Sequence, residues 1–155
     1  MIDVQILTNK LLLDDILKSG PSPSHGAQCI FSGIVRNHNQ GKKVLGVSYD
    51  AFDPLTLKSF QDICFEAQEK WGKDLHVHLW HRKGRLDIGE LSVVIVVSSR
   101  HRDESYKASR YVIEQLKHRS PIWKKEHYED GDSEWLQGHA LCSHEPETQE
   151  DHTHA

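Results

Sequence analysis

The sequence is short of cysteine, and its cysteines are poorly placed for cross-linking. Cys29, Cys64 and Cys142 are odd in number, widely separated and never form a CxxC pair. That excludes a disulfide framework and a paired-thiol zinc site, and it fits a reduced, cytoplasmic setting. Long apolar runs are missing too. The longest, Val93 to Val97, is far below the roughly 18 residues of a membrane span, so no membrane partner is expected. The opening stretch MIDVQILTNKLLLDD has no basic start ahead of a long apolar segment, which excludes a secretory signal. There are no internal repeats. Positive charge is absent from one end: residues 126–155 hold no Lys or Arg.

What remains is globular in composition, with 155 residues, 37% hydrophobic and 27% charged. The formal net charge of −4 hides an uneven distribution. Residues 1–125 carry 19 Lys/Arg against 14 Asp/Glu, and residues 126–155 carry 9 Asp/Glu alone. A basic body of this kind points to an anionic ligand, whereas an acidic end points to solubility. One domain is expected over 1–141, followed by an acidic, disordered tail over 142–155.

The patterning predicts an α+β fold. Asp3 to Leu7 reads as a short strand, followed by a helix capped by Thr8 or Asn9 over Leu11, Leu12, Ile16 and Leu17. Ala27 to Val35 and Val44 to Tyr49 read as a hairpin around the polar break Arg36 to Gly41. Asp53-Pro54 opens a helix capped by the Asp53 carboxylate, with Leu57, Phe60, Cys64, Ala67 and Trp71 on one apolar face and Gly72 at its end. Cys64 is therefore a core residue. Leu75 to Trp80 alternates as a strand with a wetter face carrying His76 and His78, and Gly84 to Gly89 reads as a turn. Leu91 to Ser98 has the continuous apolar character of a central strand. Asp103 caps a further helix to about Lys117, with Tyr106, Ile113 and Leu116 inward, and a last strand runs from Ile122 to Tyr128.

Three basic clusters stand at element ends: Arg36-Asn37-His38-Asn39, Arg100-His101-Arg102, and Lys117-His118-Arg119 with Lys124-Lys125. Such positions are held by rigid elements yet reach solvent, which suits a binding site. The second cluster also precedes a helix N-terminus, where free N–H groups favour an anion. Lys117 and Lys124 flank Pro121, so the chain turns between them and both ammonium groups could face one pocket. Paired cations can serve as general base, nucleophile or oxyanion clamp. On spacing alone, a helix-end lysine at Lys117 and an ordinary strand charge at Lys124 are the favoured explanation. The 12 histidines show no HExxH or paired Cys/His spacing, so no metal site is expected.

Several segments taken together resemble the signatures of the molybdopterin synthase large-subunit (MoaE) family. Phe31-Ser32-Gly33-Ile34-Val35-Arg36-Asn37-His38-Asn39 is similar to its F-x-G-x-V-R-N-H-N motif. His81 to Leu86 with Ile88-Gly89-Glu90 resembles its H-R-x-G-x-L-x-x-G-E turn. Ser99 to Arg102 resembles its S-x-H-R, and Leu116-Lys117 with Pro121 to Glu126 its L-K-x-x-x-P-I-W-K-K-E. The matches stand in family order across about residues 27–135. Departures are Tyr49-Asp50-Ala51-Phe52, where E-A-Y is more usual, and His139, near where many members carry an arginine.

The resemblance implies an α/β-hammerhead type fold and a homodimer within a heterotetramer, each end binding a small ubiquitin-like sulfur-carrier subunit. The implied reaction moves sulfur from the carrier's C-terminal Gly-Gly thiocarboxylate to cyclic pyranopterin monophosphate, giving the molybdopterin dithiolene, with no bound cofactor. Carried over by position, Lys117 is the main catalytic group and Lys124 the second. Arg36, His101 and Arg102 hold the substrate phosphate, and Lys125 and Glu126 line the same wall. The competing expectation is a non-catalytic module that binds RNA, another polyanion or the carrier protein alone. Trp123 is the only aromatic beside a basic cluster, which argues against nucleic acid.

Overall fold

The computed structural model describes residues 1–137. The acidic end from residue 142, together with His139 and Cys142, lies outside them. The elements are β1 (Ile2–Leu7), α1 (Leu13–Leu17), β2 (Ala27–Ile34), β3 (His38–Asn39), β4 (Lys42–Ala51), α2 (Asp53–Trp71) and β5 (His76–Arg82). They continue as β6 (Gly84–Asp87), β7 (Leu91–Ser99), α3 (Arg102–Arg119), β8 (Ile122–Tyr128), β9 (Gly131–Asp132) and β10 (Leu136–Gln137).

Two sheets form this α+β fold. The first has the order β1-β5-β7-β2, with β1 and β5 parallel and the other pairs antiparallel. Its apolar face carries Val77, Leu79, Val93, Ile95 and Val97, all buried. α2 covers that face with Phe60, Ile63, Cys64 and Ala67, and α3 with Ala108, Val112 and Leu116. β7 lies between β5 and β2, as its unbroken apolar run requires. Leu11 and Ile16 pack on its other face against Val94 and Val96. The second sheet runs β10-β8-β4-β3, with β6 also on β4 and β9 on β8. Its smaller core is Val35, Val44, Val47 and Leu86. No described helix is long and apolar enough to cross a membrane.

The structure corrects several expectations. β2 and β4 are not a hairpin: β2 pairs with β7, and β4 with β3, β6 and β8. The tight turn falls one step later, where Gln40 (φ 50°) and Gly41 (φ 75°) link β3 to β4. Positive φ at both positions matches the right-handed twist of a two-residue hairpin. Part of the turn expected over Gly84 to Gly89 is strand β6, because Leu86 is buried opposite Val47.

Helix starts also move. Leu12, Phe52 and His101 occupy the caps of α1, α2 and α3, none with a side-chain cap hydrogen bond. Thr8, Asn9 and Asp103 therefore do not cap, and Asp53 is instead paired with Lys83 Nζ at 3.1 Å. Tyr106 points outward, 65% exposed. His78 is buried rather than on a wet face, with Nδ1 2.9 Å from Asp3 Oδ2.

Candidate active site

A cavity of about 320 Å³ lies where the two sheets and the end of α3 meet. β2 reaches it through a register shift between Gly33 and Ile34. Such an irregularity re-aims the strand, and Val35 then bonds through its N–H to Glu90 O and accepts from Gly89 N–H. The chain leaves β2 with Arg36 at the cavity. Gly33 makes the approach of β7 possible, since a Cβ there would stand 2.7 Å from Val93 Cγ1 and 3.0 Å from Ser92 Oγ.

β8 supplies one wall by simple alternation. Lys124 and Glu126 line the cavity, while Lys125 and His127 fall on the other face of the sheet. Lys125 places its ammonium 4.8 Å from the Trp135 ring centroid. α3 delivers Lys117 from its last turn. β4 contributes Val47 and Tyr49 by the same two-residue period.

Glu126 is the organising group. Its side chain is only 5% exposed, and Oε1 lies 3.2 Å from Lys124 Nζ. Asn39 Nδ2 donates to Oε2 at 2.5 Å and also to the Tyr128 hydroxyl at 3.1 Å, while that hydroxyl donates to Oε2. Burial works to raise the Glu126 carboxyl, but Tyr128, Lys124 and Asn39 outweigh it and hold it below the ordinary carboxylate value. Asn39 in turn accepts from Arg36 Nη2 at 3.4 Å. A chain of contacts thus runs from Lys124 through Glu126 and Asn39 to Arg36. Three cations, Arg36, Lys117 and Lys124, share the cavity with one carboxylate, which leaves an excess of positive charge.

Behind this wall sits His81. It is buried, its Nδ1–H donates to the Arg82 carbonyl at 2.7 Å, and its ring meets Tyr49 edge-on at 5.0 Å between centroids. Burial, reinforced by the Lys117 charge against the Arg82 hydrogen bond, pulls the imidazole down to about 4. Burial also pushes the Tyr49 hydroxyl up, against a hydrogen bond with Ser92 and with the help of the Glu126 charge. Both groups are therefore neutral near pH 7. Cys64 is inert as expected, its thiol pushed up to about 12 by burial.

The structure brings together Arg36, Lys117, Lys124 and Glu126 of the sequence-derived set. Lys125 lies on the opposite face of β8. His101 and Arg102 lie at the start of α3, and 15 residues of helix separate Arg102 from Lys117, about 22 Å at 1.5 Å per residue. Within one chain they do not reach the cavity. Asn39, Tyr49, Ser92 and Tyr128 escaped the sequence reading as site residues. Asn39 was visible inside a motif, and Tyr128 continues the Lys124/Glu126 alternation.

A family model described as MoaE protein matches residues 6–119. The chain belongs to the MoaE family. Among MoaE relatives, the molybdopterin synthase catalytic subunit of Synechococcus elongatus is 48% identical over 118 residues, 76% of this chain and 72% of the relative. That of a Nostoc species is 40% identical over 126 residues, 81% and 76% of the two chains. The crystal structure of molybdopterin synthase from Staphylococcus aureus superposes with a TM-score of 0.79 at 35% identity, covering 84% of this chain and 94% of the other. The MoaE motifs seen in the sequence supply three of the cavity's walls: the R-N-H-N turn, the end of α3 and the first half of β8.

Proposed function

We propose that the cavity catalyses sulfur transfer from the thiocarboxylated C-terminus of a small ubiquitin-like carrier to cyclic pyranopterin monophosphate, yielding the molybdopterin dithiolene. The observation that carries this is the convergence of Lys117, Lys124 and Arg36 on one cavity with a single carboxylate. Phosphate, thiocarboxylate and the oxyanions formed on transfer are all negative, and prepositioned cations stabilise each of them. Arg36 offers a planar fork of donors suited to the phosphate. Lys124 is held in place by Glu126, so it stabilises charge without reorganising. Lys117, on the rigid last turn of α3, is the main catalytic group, placed beside the entering carrier tail. Threading that tail into the cavity supplies proximity.

His101 and Arg102 take part in phosphate binding only if another copy of the chain brings them to the cavity, which is the role a homodimer within a heterotetramer would give them. Lys125 belongs to the surface around Trp135 and acts on the site through β8. The setting is cytoplasmic, and no cofactor is needed beyond the pterin substrate. Enclosure of the cations in a cavity of about 320 Å³ suits a small anion better than an RNA backbone. The test is reconstitution of the purified chain with thiocarboxylated carrier and cyclic pyranopterin monophosphate, with the product read as its fluorescent oxidation derivative. Dithiolene product supports the proposal. Its absence, with carrier and pterin both bound, refutes it.

A further inference from the structure

On the face of the second sheet that looks away from the cavity, three side chains form a hydrogen-bonded line. Ser48 alternates with the cavity residues Val47 and Tyr49 on β4, and His127 alternates with Glu126 on β8. Ser48 Oγ lies 2.7 Å from His127 Nε2, and His127 Nδ1 lies 2.8 Å from Asp132 Oδ1. A carboxylate only accepts, so Nδ1 carries the proton and donates it to Asp132. Nε2 is then the bare nitrogen, and the Ser48 hydroxyl donates to it. The His127 hydrogen bond holds the Asp132 carboxyl below its ordinary value, which keeps it anionic. Nucleophile, base and orienting carboxylate thus stand in the roles that define serine-based acyl transfer, a constellation recognised by geometry rather than by fold.

The surroundings favour chemistry at Ser48. All three residues sit on paired strands: Ser48 is opposite Lys125 and Arg85, and His127 is opposite Gly46 and Asp132. The His127 side chain is 14% exposed and that of Asp132 53%, so the base is shielded while the line opens to solvent at one end. Arg85 lies across Gly46, where a Cβ would meet its Nε and Nη2 at 2.8 Å. The missing side chain at Gly46 leaves room for the exposed guanidinium over the strand position two residues before Ser48. Donors placed where an oxyanion develops are the usual partner of such a nucleophile.

We propose that Ser48 is a nucleophile activated by His127 and Asp132, which accepts acyl groups from small activated esters and thioesters with Arg85 stabilising the oxyanion. The Ser48 proton passes to His127 Nε2 as Oγ bonds the carbonyl carbon. Collapse of the tetrahedral species breaks the bond to the leaving alcohol or thiol, which takes that proton. Water, deprotonated by His127, then releases the acid and restores Ser48. This activity uses none of the groups assigned to sulfur transfer.

The test uses the full chain with p-nitrophenyl acetate and, separately, a fluorophosphonate probe, with the modified residue mapped by mass spectrometry. The expected results are labelling at Ser48, loss of labelling in Ser48→Ala, and a drop of at least about 100-fold in acylation rate in His127→Gln. Asp132→Asn, at a half-exposed position, should lower the rate while retaining the fold, so the question stays answerable if substitution at Ser48 or His127 unfolds the sheet. Dithiolene synthesis should be unchanged in every folded variant. Labelling elsewhere, or a wild-type rate equal to that of His127→Gln or Asp132→Asn, overturns the proposal and leaves the line a structural tie between β4, β8 and β9.

Discussion

Lowering the pH from 7 to 5 is expected to cost the protein about 2 kcal/mol through His81 alone, by proton linkage. The folded imidazole titrates at about 4 against an ordinary value of 6.5, because it is buried and faces the Lys117 charge. Between those two values the unfolded chain binds a proton that the folded chain refuses. Stability is therefore full above the ordinary value and falls as the pH drops through the window. Integrating the two titrations gives the loss of about 2 kcal/mol at pH 5, and about 3 kcal/mol by pH 4. The assay is urea unfolding at pH 7, 6 and 5, for the wild type and for His81→Gln. Glutamine does not titrate and can still donate to the Arg82 carbonyl. The stability difference between the two proteins should shift by about 2 kcal/mol in favour of the variant from pH 7 to 5. Nitrogen-15 NMR should show Nδ1–H and no ring protonation until below pH 5. A midpoint near 6.5, or a difference independent of pH, would refute the burial argument.

Other substitutions probe the cavity wall. Glu126→Gln should destabilise by about 2 kcal/mol, because its carbonyl oxygen can keep Asn39 Nδ2 and the Tyr128 hydroxyl only by turning the amide NH2 donors toward the Lys124 ammonium, which loses its carboxylate. It should also flatten the acid limb of the stability curve. A carboxylate held below its ordinary value stabilises above that value and loses the effect as the pH falls, and glutamine has no such titration. Gly33→Ala should cost about 1–3 kcal/mol in thermal or urea unfolding, since the added Cβ meets Val93 and Ser92. Arg36→Ala should raise KM for the phosphorylated pterin at least about tenfold while leaving unfolding unchanged, and Arg36→Lys should restore it only partly, since a point charge lacks the planar fork.

The parts of the fold legible in the sequence are those set by strong periodicity. β7, the apolar face of α2 and the Ile122 to Tyr128 strand follow directly from spacing. Pairing was not legible, because the polar run Arg36 to Gly41 does not say whether its flanking strands join each other. Here β2 crosses to β7 and the short β3 takes the hairpin. Caps were misread because Asp53 and Asp103 meet the compositional rule while Phe52 and His101 hold the extended backbone at those points. In the site, alternation along β8 separates Lys125 from Lys124 and Glu126, a distinction contained in the sequence once that segment is read as a strand. Asn39, Tyr49 and Ser92 come from three different strands and meet only through tertiary packing. The separation of His101 and Arg102 from Lys117 follows from helix length alone.

The proposed sulfur transfer depends on Lys117 as the main catalytic group of the cavity. A single-turnover assay with thiocarboxylated carrier and cyclic pyranopterin monophosphate, comparing Lys117→Ala with the wild type at matched circular dichroism and carrier affinity, tests it most directly. Lys117→Ala should lose at least about 100-fold in the rate of dithiolene formation, the scale of a lost acid–base or oxyanion group. Turnover within about twofold of the wild type, on a folded, carrier-binding variant, would contradict it.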